Sequence, residues 1–153
     1  ISIENIVESI KNVSWKGRLE VLSTNPYVVI DGAHNIQGIE TLSRNINKYF
    51  KYNNLYLILG ILADKDVEEM IKVITPMAQK IYAVTPNSIR AELADDLRSE
   101  VIKYNINCKA YDDYEEAYIK ALSDADRNDL ILASGSLYMI GDMRKIIRKY
   151  IEK

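Results

Sequence analysis

Apolar residues in this chain recur at two different spacings, and the two spacings alternate along the sequence. Several short runs of four or five residues, of which 27–30 has three β-branched side chains, have the length and composition of strands. Between these runs, apolar residues recur every three or four positions, which predicts amphipathic helices. The predicted strands are 19–22, 27–30, 55–59, 81–84, 107–111 and 130–133, and the predicted helices lie around 3–10, 36–50, 67–74, 93–101, 117–122 and 137–151.

Alternating strands and helices predict an α/β fold: a Rossmann-like, mostly parallel six-stranded sheet with helices on both faces. The turn cluster 23–26 joins the first two strands as a hairpin, which predicts one antiparallel strand at the sheet edge. Pro76 should end or kink the helix that begins near Val67. Without repeats or long linkers, residues 1–153 are expected to form a single domain. The opening at Ile1, without an initiator methionine, favours a piece cut from a longer polypeptide.

Composition narrows the possible functions. A net charge of −2 argues against a nucleic-acid partner or an anionic membrane surface. The sequence has no apolar run long enough to span a bilayer and no signal-peptide pattern, so we expect a cytoplasmic protein. One histidine and one cysteine are too few for a typical zinc site, so no metal site is predicted. Cys108 is expected to be a small buried apolar residue in a strand.

Polar residues follow several of the predicted strands. The segments are 31–35, 60–66, 85–90 and 134–136. Because ligands bind at the carboxyl ends of strands in open α/β sheets, these segments are the candidate site. Asp31 is the strongest candidate, because a carboxylate at the end of a buried strand must be hydrogen-bonded or face a ligand. Strand-end acids in nucleotide-binding sheets accept hydrogen bonds from ribose hydroxyls.

Each of the other segments also has a purely structural interpretation. Asp66 can cap the helix beginning near Val67, with Glu69 as its capping-box partner. Residues 85–88 can be a turn followed by a helix cap, and Ser136 can cap the final helix. His34 can be a hydrogen-bonded histidine at a helix start.

Some common nucleotide-binding signatures are absent from the sequence. There is neither a phosphate loop, G-x-x-x-x-G-K-[ST], nor a dinucleotide fingerprint, G-x-G-x-x-G. A phosphate-receiver domain would need a lysine after its last strand, and here the strand ends Ala133-Ser134-Gly135.

Four motifs together resemble one family. W-x-G-R-L-E at 15–20, D-G-A-H-N at 31–35, D-K-D at 64–66 and G-S-L-Y at 135–138 are similar to the C-terminal domain of folylpolyglutamate synthase, in the folate branch of the Mur ligase family. That family often has proline where this chain has Lys16 and Ile36. The resemblance implies the C-terminal domain of a larger two-domain ligase, with residues 1–153 as that domain.

The resemblance also implies an activity and its partners. In that family, ATP phosphorylates a folate carboxylate, and the amine of L-glutamate attacks the acyl phosphate to form an amide. The phosphate loop, the Mg²⁺ ligands and most folate contacts belong to an N-terminal ATPase domain, so the isolated domain is expected to be inactive.

Five residues of this chain match functional positions of the family. Arg18 is expected to contact the phosphates of ATP, and Asp31 the ribose. Asn35 is expected to contribute to nucleotide binding. His34 and Ser136 match positions that hold glutamate near the acyl phosphate, and His34 is a candidate to take the proton of the amine.

Two other classes of function compete with the ligase. One is a noncatalytic nucleotide-binding or receiver-like signalling module with flavodoxin-like topology, and the other is an interaction domain whose strand-end polar residues are all caps. Arg18 separates them, because a receiver has no use for a W-x-G-R-L-E segment before its first core strand. Residue chemistry alone does not separate folate from a cell-wall precursor, nor does it decide whether the enzyme also glutamylates dihydropteroate; only the D-G-A-H-N resemblance favours folate.

Overall fold

A computed structural model describes residues 16–153, so the helix predicted at 3–10 lies outside the described residues. The chain alternates strands and helices as the sequence pattern predicts. The strands are β1 (Glu20–Thr24), β2 (Tyr27–Asp31), β3 (Leu55–Leu59), β4 (Lys80–Ala83), β5 (Cys108–Ala110) and β6 (Leu130–Ser134). The helices are α1 (Ile36–Tyr49), α2 (Val67–Ile74), α3 (Ala94–Val101), α4 (Tyr114–Asp124) and α5 (Leu137–Ile151), with a 3₁₀ turn at Thr75–Met77.

The six strands form one sheet in the order β1-β2-β6-β3-β4-β5. Every pair is parallel except β1 and β2, which form the predicted antiparallel hairpin at one edge. The α/β fold class and its single antiparallel edge strand are therefore confirmed. Strand β6 lies between β2 and β3, with Ser134 in register with Asp31 on one side and Leu59 on the other.

Apolar side chains cover both faces of the sheet. Alternate residues of β2 point to opposite sides, so Val29 joins the cluster under α1, α2 and α3, while Val28 and Ile30 join the cluster under α4 and α5. Strands β3 and β6 are buried at every position, which explains why their sequences are continuous apolar runs. No helix in the part of the chain that the structure describes is long and apolar enough to cross a membrane.

Helix ends follow the local signals in most places. Helix α2 ends at Ile74 and Pro76 lies in the following 3₁₀ turn, as predicted. Asn35 and Ser136 cap α1 and α5 with their side chains. The prediction for Asp66 is wrong in one respect: the residue occupies the N-cap position of α2, but its side chain makes no capping hydrogen bond. Its φ and ψ of −76° and 73° differ from the extended backbone of the side-chain caps Asn35 and Ser136.

Candidate functional site

A cleft of about 450 Å³ opens at the carboxyl end of β2. Its walls are the loop before β1, the turn between β2 and α1, one face of α1 and the start of α5. Four of the five predicted site residues line it: Arg18, Asp31, His34 and Asn35. Sequence segments that are far apart, around 18 and around 34, therefore share one cavity.

Both carboxylate oxygens of Asp31 accept hydrogen bonds from the main chain. Oδ2 accepts from the Leu19 N–H at 2.9 Å, and Oδ1 accepts from the Ala33 N–H at 2.8 Å. Asp31 therefore joins the loop that carries Arg18 to the turn that carries His34. Because a carboxylate oxygen has two lone pairs, each oxygen can still accept a bond from a ligand hydroxyl.

Arg18 is exposed at the rim of the cleft. Among the described residues, no side chain or carbonyl forms a hydrogen bond or an ion pair with its guanidinium. A guanidinium is permanently charged and presents five N–H donors in a planar fork, which matches the oxygens of a phosphate. Arg18 is thus a cation held at the cleft without a carboxylate partner among residues 16–153.

The ring of His34 has a defined orientation. Its Nδ1 lies 2.8 Å from the carbonyl oxygen of Gly32. A carbonyl can only accept, so Nδ1 carries the proton, and the neutral ring then has its lone pair on Nε2. His34 is half-buried in the cleft wall, and Nε2 is the atom able to take a proton.

Asn35 is the N-cap of α1, and its Oδ1 accepts from the Gly38 N–H at 2.8 Å. The amide nitrogen of Asn35 has no partner within residues 16–153 and can donate to a ligand. A polar stripe along α1 also lines the cleft, formed by Gln37, Thr41 and Asn45. None of these three residues was predicted from the sequence. Their spacing of four residues, on the side opposite the apolar stripe, is the signal that could have revealed them.

Ser136 is not part of the cleft lining. It is fully buried, and its hydroxyl accepts from the Tyr138 N–H at 3.2 Å as the cap of α5. The next residue, Leu137, does line the cleft. The structure thus matches the capping interpretation of Ser136, while any contact of Ser136 with a ligand stays a prediction.

The remaining strand-end segments lie away from this cleft, although at the same edge of the sheet. Asp64, in the loop after β3, forms an ion pair with Arg90 in the loop after β4, and this pair holds the pKa of the Asp64 carboxyl below its usual range. Residues 85–89 line a separate cavity of about 740 Å³ with Asp112 and Asp142. The four segments therefore form more than one site, because β6 and β3 lie between β2 and β4.

The donors in the cleft suit a phosphate-containing organic ligand better than a metal ion. A cation and N–H donors stand beside Asp31, whose two oxygens are already bonded to the main chain. Across residues 16–153 no group of three or more histidine, cysteine, aspartate or glutamate side chains is arranged to hold a metal. The residues present do not fit Mg²⁺ as a resident ion, whose preferred ligands are carboxylate, phosphate and water oxygens.

Comparisons with known proteins identify relatives of this chain. The family model described as "Mur ligase, glutamate ligase domain" matches residues 17–137. The dihydrofolate synthase/folylpolyglutamate synthase of Bacillus subtilis (strain 168) is 32% identical over 149 residues, which is 97% of this chain and 34% of that protein. The chain thus spans 34% of the length of that relative, and only 17% of the length of a longer relative from Haloferax volcanii.

Solved structures share the fold. E. coli FolC in complex with DHPP and ADP superposes with a TM-score of 0.87 and 24% identity, covering 99% of this chain and 36% of that one. The bifunctional folylpolyglutamate synthase/dihydrofolate synthase from Yersinia pestis, complexed with AMPPNP and Mn ion, has a TM-score of 0.81 and 21% identity, covering 100% and 35%. At these identities the two likenesses establish the fold alone.

The matched region includes every motif that formed the sequence resemblance except Trp15, Lys16 and the last residue of G-S-L-Y. This family match does not favour a receiver-like signalling module. The chain belongs to the Mur ligase family, as a glutamate ligase domain.

Proposed function

We propose that this chain is the C-terminal domain of an ATP-dependent ligase that joins L-glutamate to the carboxylate of a folate. The observation that carries the proposal is Arg18: an exposed guanidinium on a loop fixed at both sides, at the rim of a cleft that also contains Asp31, His34 and Asn35. An arginine held in this way is suited to a phosphate that arrives from outside the domain.

The names of the relatives, and the nucleotides bound in structures of the same fold, support the proposed substrates. Proteins that align over nearly all of this chain are named dihydrofolate synthase/folylpolyglutamate synthase, and structures of the same fold contain ADP or AMPPNP. Since the chain spans only about a third of those relatives, we propose that an N-terminal ATPase domain supplies the phosphate loop, the Mg²⁺ ligands and most of the folate pocket. Among residues 16–153, no group of three or more histidine, cysteine, aspartate or glutamate side chains is arranged to hold such a metal ion.

The proposed reaction has two steps. A folate carboxylate oxygen takes the γ-phosphoryl group of ATP and releases ADP, and the glutamate nitrogen then bonds to the acyl carbon as phosphate leaves and the nitrogen loses protons. In this scheme Arg18 neutralises charge on the phosphoryl oxygens. Asp31 accepts a hydrogen bond from a ribose hydroxyl through a lone pair that the main chain does not use. Asn35 donates a hydrogen bond from its amide nitrogen to the nucleotide.

His34 is proposed to hold the incoming glutamate and to receive a proton from its amine at Nε2. The Gly32 carbonyl fixes the ring tautomer in which Nε2 is the acceptor. Ser136 is proposed to help hold glutamate from behind the cleft wall: its hydroxyl caps α5 and so supports the first turn of that helix, which carries the cleft residue Leu137. Ser136→Ala should then raise KM for glutamate without changing KM for ATP.

The test uses the full-length enzyme and measures ADP release that requires both folate and glutamate. Arg18→Ala and Asp31→Ala should each lower kcat/KM for ATP by about tenfold or more in protein shown to be folded by circular dichroism. Arg127→Ala is the matched control, because Arg127 is exposed before the amino end of β6, at the other end of the strands from the cleft, in a cavity with Asn25 and Lys51. Full activity of both cleft variants would refute the proposed role of this cleft.

A further inference from the structure

The loop that presents Arg18 has an unfavourable backbone conformation. Gly17 and Leu19, on either side of Arg18, both have positive φ angles, 78° and 42°. Leucine rarely adopts this left-handed region, because its Cβ comes too close to the following carbonyl oxygen. Such a conformation persists only where surrounding contacts hold it. The contacts that hold Leu19 and Gly17 therefore also determine where Arg18 points.

One side of the loop is attached to β2 and the turn after it. The Leu19 N–H donates to Asp31, and the Gly32 N–H donates to the Gly17 carbonyl at 2.6 Å. These two hydrogen bonds therefore join the loop to Asp31 and Gly32, which form part of the cleft wall.

The other side of the loop is attached to α5 through an ion pair. Oε2 of Glu20 accepts from the Gly17 N–H at 2.7 Å. The same carboxylate receives Nε of Arg144 at 3.0 Å and Nη2 of Arg144 at 2.7 Å, so the pair is bidentate. Only 8% of the Glu20 side chain and 18% of the Arg144 side chain are exposed. The hydrogen bonds from Arg144 hold the pKa of Glu20 below its usual range, so the carboxylate stays charged at neutral pH.

Arg144 thus anchors the Glu20 carboxylate, and that carboxylate in turn holds Gly17, the residue just before Arg18.

We propose that Glu20 and Arg144 are positioning residues for Arg18, and that this partly buried pair sets the affinity of the enzyme for the phosphates of ATP. The inference rests on the proposed function of Arg18 and extends it to a residue on α5, 124 positions from Glu20, that does not line the cleft.

The test is a double-mutant cycle in the full-length enzyme, with ATP varied at saturating folate and glutamate. Arg144→Ala should lower kcat/KM for ATP by about tenfold, mainly through KM, while KM for glutamate stays within twofold. In the Arg18→Ala background, Arg144→Ala should change kcat/KM for ATP by less than twofold, because the residue through which it acts is gone. Arg144→Lys keeps the charge but not the fork, and should recover part of the loss.

A general loss of stability would give a different pattern. Lys80→Ala is the matched control: Lys80 forms a comparable, partly buried ion pair with Asp124 at 2.7 Å, near the opposite edge of the sheet. It should lower the unfolding midpoint without changing KM for ATP at a temperature where all variants are folded. Glu20→Gln, which keeps an acceptor for Gly17 but loses the ion pair, is a second variant should Arg144→Ala fold poorly.

Two results separate the possible failures. The positioning role is wrong, while the proposed function stands, if Arg18→Ala lowers kcat/KM for ATP but Arg144→Ala and Glu20→Gln do not. The same conclusion follows if Arg144→Ala lowers kcat/KM for ATP by the same factor in the presence and in the absence of Arg18. If Arg18→Ala itself leaves ATP kinetics unchanged, the proposed function fails and the positioning role fails with it.

Discussion

Replacing Asp31 by asparagine tests how the cleft is built. The carboxylate accepts two main-chain N–H groups, one from Leu19 and one from Ala33, on different oxygens. Asparagine has the same shape but only one acceptor oxygen, and its other terminal atom is an N–H₂ donor. One of the two N–H groups would therefore face a donor in place of an acceptor.

The magnitude follows from those two bonds. A hydrogen bond to a charged group contributes about 1.5–3 kcal/mol, and one between neutral groups about 0.5–1.5 kcal/mol. Asp31→Asn loses one charge-assisted bond and weakens the other, so we expect the free energy of unfolding to fall by about 3 kcal/mol. For a domain of this size, the melting temperature should fall by roughly 6–12 °C.

The assay is urea denaturation of the wild type and the variant, followed by circular dichroism. Asp113→Asn is the matched control: Asp113 caps α4 by accepting one N–H, from Glu116, and asparagine is an equally good cap. That variant should remain within about 0.5 kcal/mol of the wild type. A change of less than 0.5 kcal/mol for Asp31→Asn would refute the argument that Asp31 supports the cleft from within.

Three further predictions concern other parts of the fold. Gly135→Ala should destabilise the chain by about 3 kcal/mol or more, because Gly135 has a φ of 113° and a Cβ there would overlap the Gly60 carbonyl. Gly141→Ala, in α5 with open space around it, should instead stabilise by about 0.5–1 kcal/mol; equal denaturation midpoints for the two would contradict this. Burial alone would raise the pKa of Asp124, but hydrogen bonds from two lysines and a tyrosine hold it well below its usual range. Its stabilising effect is therefore complete above the unfolded carboxyl pKa of about 4 and is lost as the pH falls below it, so Asp124→Asn should flatten the dependence of urea midpoint on pH between 5 and 2. Burial raises the pKa of the Cys108 thiol to about 11, so iodoacetamide at pH 8 should label the folded chain at least tenfold more slowly than the urea-unfolded chain.

Local signals in the sequence were sufficient for the elements and for part of the site. The β2 strand, the Asp31–Asn35 turn and the start of α1 follow from one apolar run, a polar cluster and a helical period. The end of α2 follows from Pro76, whose ring cannot continue a helix. These features depend on residues within one or two turns of each other, so their causes are visible in the sequence itself.

The motif resemblance added what periodicity could not. It assigned Arg18 and Asp31 to the same nucleotide, and both residues line one cleft in the structure. Asp66 shows the limit of local rules, since the residue type and position suit a cap but the backbone there does not bring its side chain to the helix.

Only the tertiary structure determined how these residues support each other. Nothing in the sequence assigns Arg144 to Glu20, because the two are 124 positions apart and pair only once α5 packs beside β1. Likewise, the ion pair between Asp64 and Arg90 and the separation of Asp64 from Asp31 depend on the strand order, in which β3 and β4 are neighbours and β6 lies between β2 and β3. The sequence determined the type of each element, because propensity and periodicity act locally. The folded chain decided which side chains are held by neighbours and which, like Arg18, have no side-chain partner among residues 16–153, because that depends on packing between distant segments.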